Sequence, residues 1–160
     1  MSEELHNCVG LFGSYGATDW RNDIAIPLLT SAQVDYFDPT VEHWDEEARQ
    51  AEAHHAAHDR VLLMIITGGA TSFATLAESG WLALQAVERG QKLVVVIEDM
   101  SAETQPAKDD KGWKIRPNKT RALVRQHIQN LPKDVLNQTV FFCDDVAQAV
   151  RKAVELIQAA

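Results

Sequence analysis

Short apolar runs alternate with longer stretches of helical spacing about five times along the 160 residues. The runs are CVGLFG (8–13), VDYFDP (34–39), RVLLMIIT (60–67), KLVVVIED (92–99) and TVFFC (139–143). Their length and their β-branched and aromatic content predict strands. The third and fourth carry no polar alternation, which is the pattern of strands covered on both faces. Between the first three strands lie DIAIPLLTSA (23–32), with Ile24, Leu28 and Leu29 on one face, and EEARQAEAHHAAHD (46–59), with a negative first turn that suits the helix dipole. Residues 71–87 and 118–130 are also predicted helical, and DDVAQAVRKAVELIQAA closes the chain as an amphipathic helix capped by Asp144 or Asp145. Strands alternating with helices predict a five-stranded parallel doubly wound sheet, flavodoxin/Rossmann-like, with helices on both faces and one domain over 1–160. Ligands of such folds bind outside the carboxyl ends of the strands, which selects loops 13–20, 38–46, 67–73 and 99–118. Within the last, residues 101–117 read as a long polar loop containing Trp113 and Ile115.

The segment TSFATLAESGWLALQAV (71–87) has an unusual pattern, because Glu78 is its sole ionisable side chain. At 100° per residue, Phe73, Leu76, Ala77, Gly80, Leu84 and Val87 form a stripe expected to cover the sheet. The far side, with Ala74, Thr75, Trp81 and Leu82, is nearly apolar as well. A soluble helix with two apolar sides predicts a second subunit over part of one side and a ligand cleft facing its first turns. Glu78 would then be a carboxylate in a partly dry cleft, which suits catalysis. The plainer alternative is an acid stabilised by the helix dipole.

The chain is 46% hydrophobic and 24% charged, with a formal net charge of -8. Excess acid opposes adhesion to nucleic acid polymers or anionic lipid, and no apolar run is long enough for a membrane helix. The opening MSEELHN lacks the features of a secretory signal, so a cytoplasmic location is expected. Cys8 and Cys143 have no ligand-like spacing and read as free core thiols. His54 and His58 share a helical face, yet no HExxH or facial triad completes them in sequence. No metal and no cofactor is therefore expected. GSYGATDW (13–20) places Gly13, Ser14 and Gly16 between a strand and a helix, where backbone N–H groups either hold an anion or simply make a tight turn. Trp20 and Arg21 either serve that ligand, by stacking or by pairing a carboxylate, or pack over the sheet edge. A phosphoacceptor receiver would need an acidic pair after the first strand and an Asp after the third. Gly13-Ser14 and Thr67-Gly68 occupy those places.

GSYGATDWRNDIAIPLL, YFDPTVEHWDEEARQAEA, ATLAESGW and NKTRALVR, in that order and over about residues 8–130, resemble the nucleoside 2-deoxyribosyltransferase-like family. The resemblance implies that Glu78 attacks C1′ of a deoxynucleoside, releasing the base and leaving a deoxyribosyl ester. A second nucleobase resolves it by transfer, or water by hydrolysis. It further implies Glu52 as an acid near sugar and base, Asp38 as a hydrogen-bonding partner of base or sugar, and Trp44 as a lining or stacking residue. Asn118 and Arg121 match a segment near the active site that often comes from a neighbouring subunit. The partners so implied are a nucleoside or nucleotide, a free nucleobase and further copies of the chain. Ser72 stands where better-studied members carry an acid six residues before the nucleophile. Related members hydrolyse nucleoside 5′-phosphates, for which Ser14 and the N–H groups of 13–17 would serve as phosphate partners.

Overall fold

A computed structural model describes residues 4–16, 18–106, 108, 111–112 and 114–160; Ala17 and Trp113 of the predicted ligand loops fall outside them. The strands are β1 (His6–Gly13), β2 (Asp35–Phe37), β3 (Asp59–Ile66), β4 (Lys92–Ile97) and β5 (Val140–Phe142). They form one parallel sheet in the order β2-β1-β3-β4-β5. This is the predicted doubly wound architecture. The missing alternation of β3 has a direct cause: Val61, Leu63 and Ile65 enter one hydrophobic core while Leu62, Met64 and Ile66 enter the other.

The first core is closed by α1 (Ile26–Ser31), which continues a π-helical turn over Arg21–Ala25, and by α6 (Val146–Gln158). The second is closed by α2 (Glu46–His58), α3 (Phe73–Arg89), α4 (Pro117–Gln129) and the short α5 (Lys133–Gln138), the last not anticipated from the sequence. Asp45 and Asp145 cap α2 and α6 by accepting from the N–H groups of Ala48 and Gln148. At the far end of α2, the buried Gln91 side chain donates to the carbonyls of Ala56 (3.1 Å) and Asp59 (2.7 Å), pinning the turn into β3.

The orientation of α3 differs from the expectation. Leu76, Ser79, Leu82, Ala83 and Ala86 are its buried residues, whereas Phe73 is 45% exposed, Leu84 65% and Val87 46%; Ala77 and Gly80 are exposed too. Of the stripe assigned to the sheet, only Leu76 is buried. The helix is rotated by roughly a third of a turn, given 100° per residue, so that Leu76, Leu82 and three small residues meet the core while Phe73, Trp81, Leu84 and Val87 face outward. Ser79 tolerates burial because its hydroxyl donates to Leu76 O at 2.7 Å.

Candidate functional site

The strand order reverses between β1 and β3, and at such a switch point the carboxyl ends of neighbouring strands open a crevice. The β1 end is built tightly. Gly13 has φ +141°, and a Cβ there would lie 2.1 Å from Ile65 O, so no other residue lets β1 approach β3 this closely. The buried Ser14 hydroxyl bridges the same strands, donating to Ile65 O (3.3 Å) and accepting from the N–H of Thr67 (2.9 Å). Trp20 is in the first core, 2% exposed, and its indole N–H donates to Ser14 O at 3.2 Å. Its packing is that of a core residue. Beside it the buried Arg21 donates to the carbonyls of Leu11 (3.1 Å), Ser14 and Gly13 (both 3.4 Å) and lies over the rings of Tyr15 and Trp20.

Arg21 is the cation of the crevice. It pairs with Asp38, just beyond β2, at 3.4 Å, and its charge draws the Glu52 carboxyl downward, against the larger upward push of burial. Glu52 in turn acts on Glu78: burial raises the Glu78 carboxyl above the ordinary range, and the Glu52 charge raises it further. The two acids come from different helices and are both partly buried, and among the described residues neither has a hydrogen bond to offset its desolvation. Trp44 is 58% exposed in the loop from β2 to α2.

Asn118 and Arg121 brace the loops from behind. Asn118 clasps the Met100 backbone, accepting from its N–H at 2.8 Å and donating to its carbonyl at 2.9 Å. Arg121 is fully buried. It donates to the carbonyls of Glu98 (2.8 Å), Thr67 (3.0 Å), Thr71 (3.1 Å) and Ala70, so one guanidinium fastens both the β3 and β4 loops of its own chain. Arg125 adds bonds to Ile97 O and the Asp99 carboxylate, both at 2.8 Å. The fastened β3 loop ends at Ser72, left-handed at φ 52°, from which α3 departs carrying Glu78.

Against known protein families, residues 9–100 match the model described as "Nucleoside 2-deoxyribosyltransferase like". The chain belongs to that family. The nucleoside 2-deoxyribosyltransferase-like match runs from β1 to the residues after β4 and so contains Asp38, Glu52 and Glu78, while Asn118 and Arg121 lie beyond it. No curated protein matches the chain. Family membership implies a glycosyltransferase-like enzyme acting on nucleosides. No helix among the described residues is long and apolar enough to cross a membrane. Sequence reasoning gave Arg21 no firm place in the site. Its signal was the Trp-Arg pair after the glycine loop, but buried placement beside Asp38 required the fold.

Proposed function

We propose that this protein cleaves the N-glycosidic bond of a 2′-deoxynucleoside and transfers the deoxyribosyl group to another nucleobase through an ester on Glu78. The carrying observation is the pair of desolvated carboxylates, Glu78 and Glu52, at the strand switch point of a chain in this family. A buried acid with no hydrogen bond costs stability, and such groups concentrate where chemistry needs them. In the proposed reaction a Glu78 oxygen bonds to C1′ as the C1′–N bond breaks, and the base leaves with that electron pair. Glu52, in its protonated form, gives the base its proton, in place of the acid missing at Ser72. Attack by the incoming base on C1′ then frees the Glu78 carboxylate, and the N–H proton that this base loses returns to the Glu52 carboxylate. Asp38, held by Arg21, would serve as a hydrogen-bond acceptor for sugar or base, and the exposed Trp44 ring would supply a stacking surface.

A nucleoside is favoured over its 5′-monophosphate because the groups best placed for a phosphate are already engaged. The Ser14 hydroxyl bridges β1 and β3, and the Arg21 guanidinium serves three carbonyls and Asp38. Incubating the protein with deoxynucleosides and an acceptor base should yield exchanged base. Release only from 5′-monophosphates, or only in the absence of transfer, would move the assignment to hydrolysis.

The pH profile should report the carboxylate pair. Glu78 attacks as the anion, and its pKa is raised by burial and by Glu52, so the acid limb of kcat/KM should lie above the ordinary glutamate range. Glu52, whose carboxyl burial also pushes upward, must stay protonated to donate and so sets the alkaline limb; Glu52→Gln should abolish that limb and, by loss of the proton donor, cut the rate by about 100-fold. An alkaline limb that persists in Glu52→Gln would mean that another group protonates the leaving base.

The outward side of α3 completes the proposal. Phe73, Trp81, Leu84 and Val87 are exposed, Trp81 at 52%, and Leu123 of α4 is exposed as well at 51%. A second copy of the chain covering this surface would explain a helix apolar on both sides. Sedimentation should give a dimer or larger assembly that Leu84→Glu dissociates; a monomer at micromolar concentration would remove this part.

A further inference from the structure

Where β1 and β3 begin, at the amino ends of the strands, three strong metal-ligand types meet without any role in the proposed reaction. Asp59 begins β3, is fully buried, and receives the His55 ring through Nδ1 at 2.9 and 3.1 Å from its two oxygens. The Cys8 thiol donates to the same carboxylate. The ligand atoms of Cys8, His55 and Asp59 all lie within 4.8 Å of one another.

Two backbone features build this corner. His6 pairs with Asp59 and Val9 with Val61, so β1 spends three steps against two on β3, a bulge that contains Cys8. Gly10 then leaves room for the carboxylate, since a Cβ there would stand 3.0 Å from the Asp59 Oδ2 and closer still to Phe12. The His55 ring is fixed by stacking on Phe37, with centroids 3.8 Å apart and planes 5° from parallel. Around the three groups stand the rings of His6, His54 and His58, with His54 and His58 4.3 Å apart. Four of the chain's six histidines are thus in one corner.

We propose that Cys8, His55 and Asp59 form a binding site for a divalent transition-metal ion of the zinc type, with water as the fourth ligand. A thiolate, an imidazole and a carboxylate are the donors zinc accepts, and at its usual bond lengths tetrahedral ligands stand about 3.4–3.7 Å apart. The present spacing reaches that with shifts of about an ångström. The cation takes the place of the protons that now link the three groups: the thiol proton goes to solvent, and the His55 ring presents an unprotonated Nδ1. The ion would join the start of β1, the end of α2 and the start of β3, clamping the helix that carries Glu52 one turn from His55. The sequence pairs His54 with His58 by helical spacing; the fold instead turns His55 toward Cys8 and Asp59.

Chelator-treated, tag-free protein titrated with Co²⁺ should bind about one ion per chain, with the near-ultraviolet charge-transfer absorption of a cobalt–thiolate bond and the intense visible bands of a tetrahedral site. Zn²⁺ should displace the cobalt and raise the Tm of the metal-free protein. Cys8→Ser should abolish the charge-transfer band, and Cys8→Ser and His55→Gln should each weaken binding by about 100-fold or more. The double variant His54→Ala, His58→Ala should keep both band and stoichiometry. Absence of saturable binding would overturn the site, and so would binding that survives Cys8→Ser but is lost in the double variant, which would assign the metal to the surface imidazoles. His55→Gln provides the same test should Cys8→Ser fail to fold. Because the readouts are spectroscopic, they stand whether or not transferase activity is found.

Discussion

Glu78→Gln is expected to lower transfer by about 10³-fold or more, because an amide oxygen cannot form the ester that the reaction passes through. The same change should leave the protein at least as stable at neutral pH, which separates a catalytic carboxylate from a structural one. Glu78 has a folded pKa above its unfolded value, since burial and the Glu52 charge both favour the protonated form. Its penalty on stability is therefore absent below the ordinary glutamate pKa and complete once pH has passed the raised one. Glutamine removes that penalty, so the Tm of the variant should equal or exceed that of the unmodified protein at pH 7, and the advantage should vanish near pH 4. Full activity in Glu78→Gln would refute the nucleophile. A marked loss of stability at pH 7 would make Glu78 a structural anchor instead.

Arg121 should behave in the opposite way. Its guanidinium is fully buried and serves four carbonyls from two loops. Arg121→Ala strips those partly buried acceptors of their donors and leaves a cavity in place of a buried side chain, and a loss of about 3 kcal/mol is expected. In a domain of this size that is a fall in Tm of about 6–12 °C. Arg121→Lys should recover little, because an ammonium has three donors and no planar fork. Urea denaturation checks the first figure, and a change below about 0.5 kcal/mol would show that the loops hold without this residue. Where Arg121→Ala still folds, kcat should drop more than binding, since the loosened β3 loop sets the start of the helix that carries Glu78. The resemblance places this segment near the active site, often supplied by a neighbour; in the structure its side chains are committed to their own chain's loops.

The desolvated acids also explain why α3 looked puzzling as a sequence. A helix with one carboxylate among small and apolar residues has two plausible inner faces. Helical spacing assigned the stripe of Phe73, Leu76, Ala77, Gly80, Leu84 and Val87 to the sheet, yet the inner face is the one with Leu76, Ser79, Leu82, Ala83 and Ala86. Small side chains let the helix lie close to the sheet, and the buried serine is affordable because it bonds to its own helix. Glu78 therefore sits at the border between the buried side and the crevice, near enough to Glu52 for their charges to interact.

What could be read along the chain was whatever repeats locally. Strand positions, the parallel doubly wound architecture and the cap at the start of the last helix follow from period, run length and residue type within about ten neighbours, where side-chain direction is set by the backbone itself. The identity of Glu78 as the residue needing a role was legible for the same reason, as a break in a local pattern. Contacts between distant segments were not. Arg21 with Asp38, Glu52 against Glu78, the grip of Arg121 on residues 50 and more positions away, and the meeting of Cys8, His55 and Asp59 each join segments whose separation in sequence says nothing of their distance. Rotation of α3, the bulge in β1 and the close approach at Gly13 decide them, because in a close-packed interior the choice among faces and registers belongs to all the neighbouring elements together.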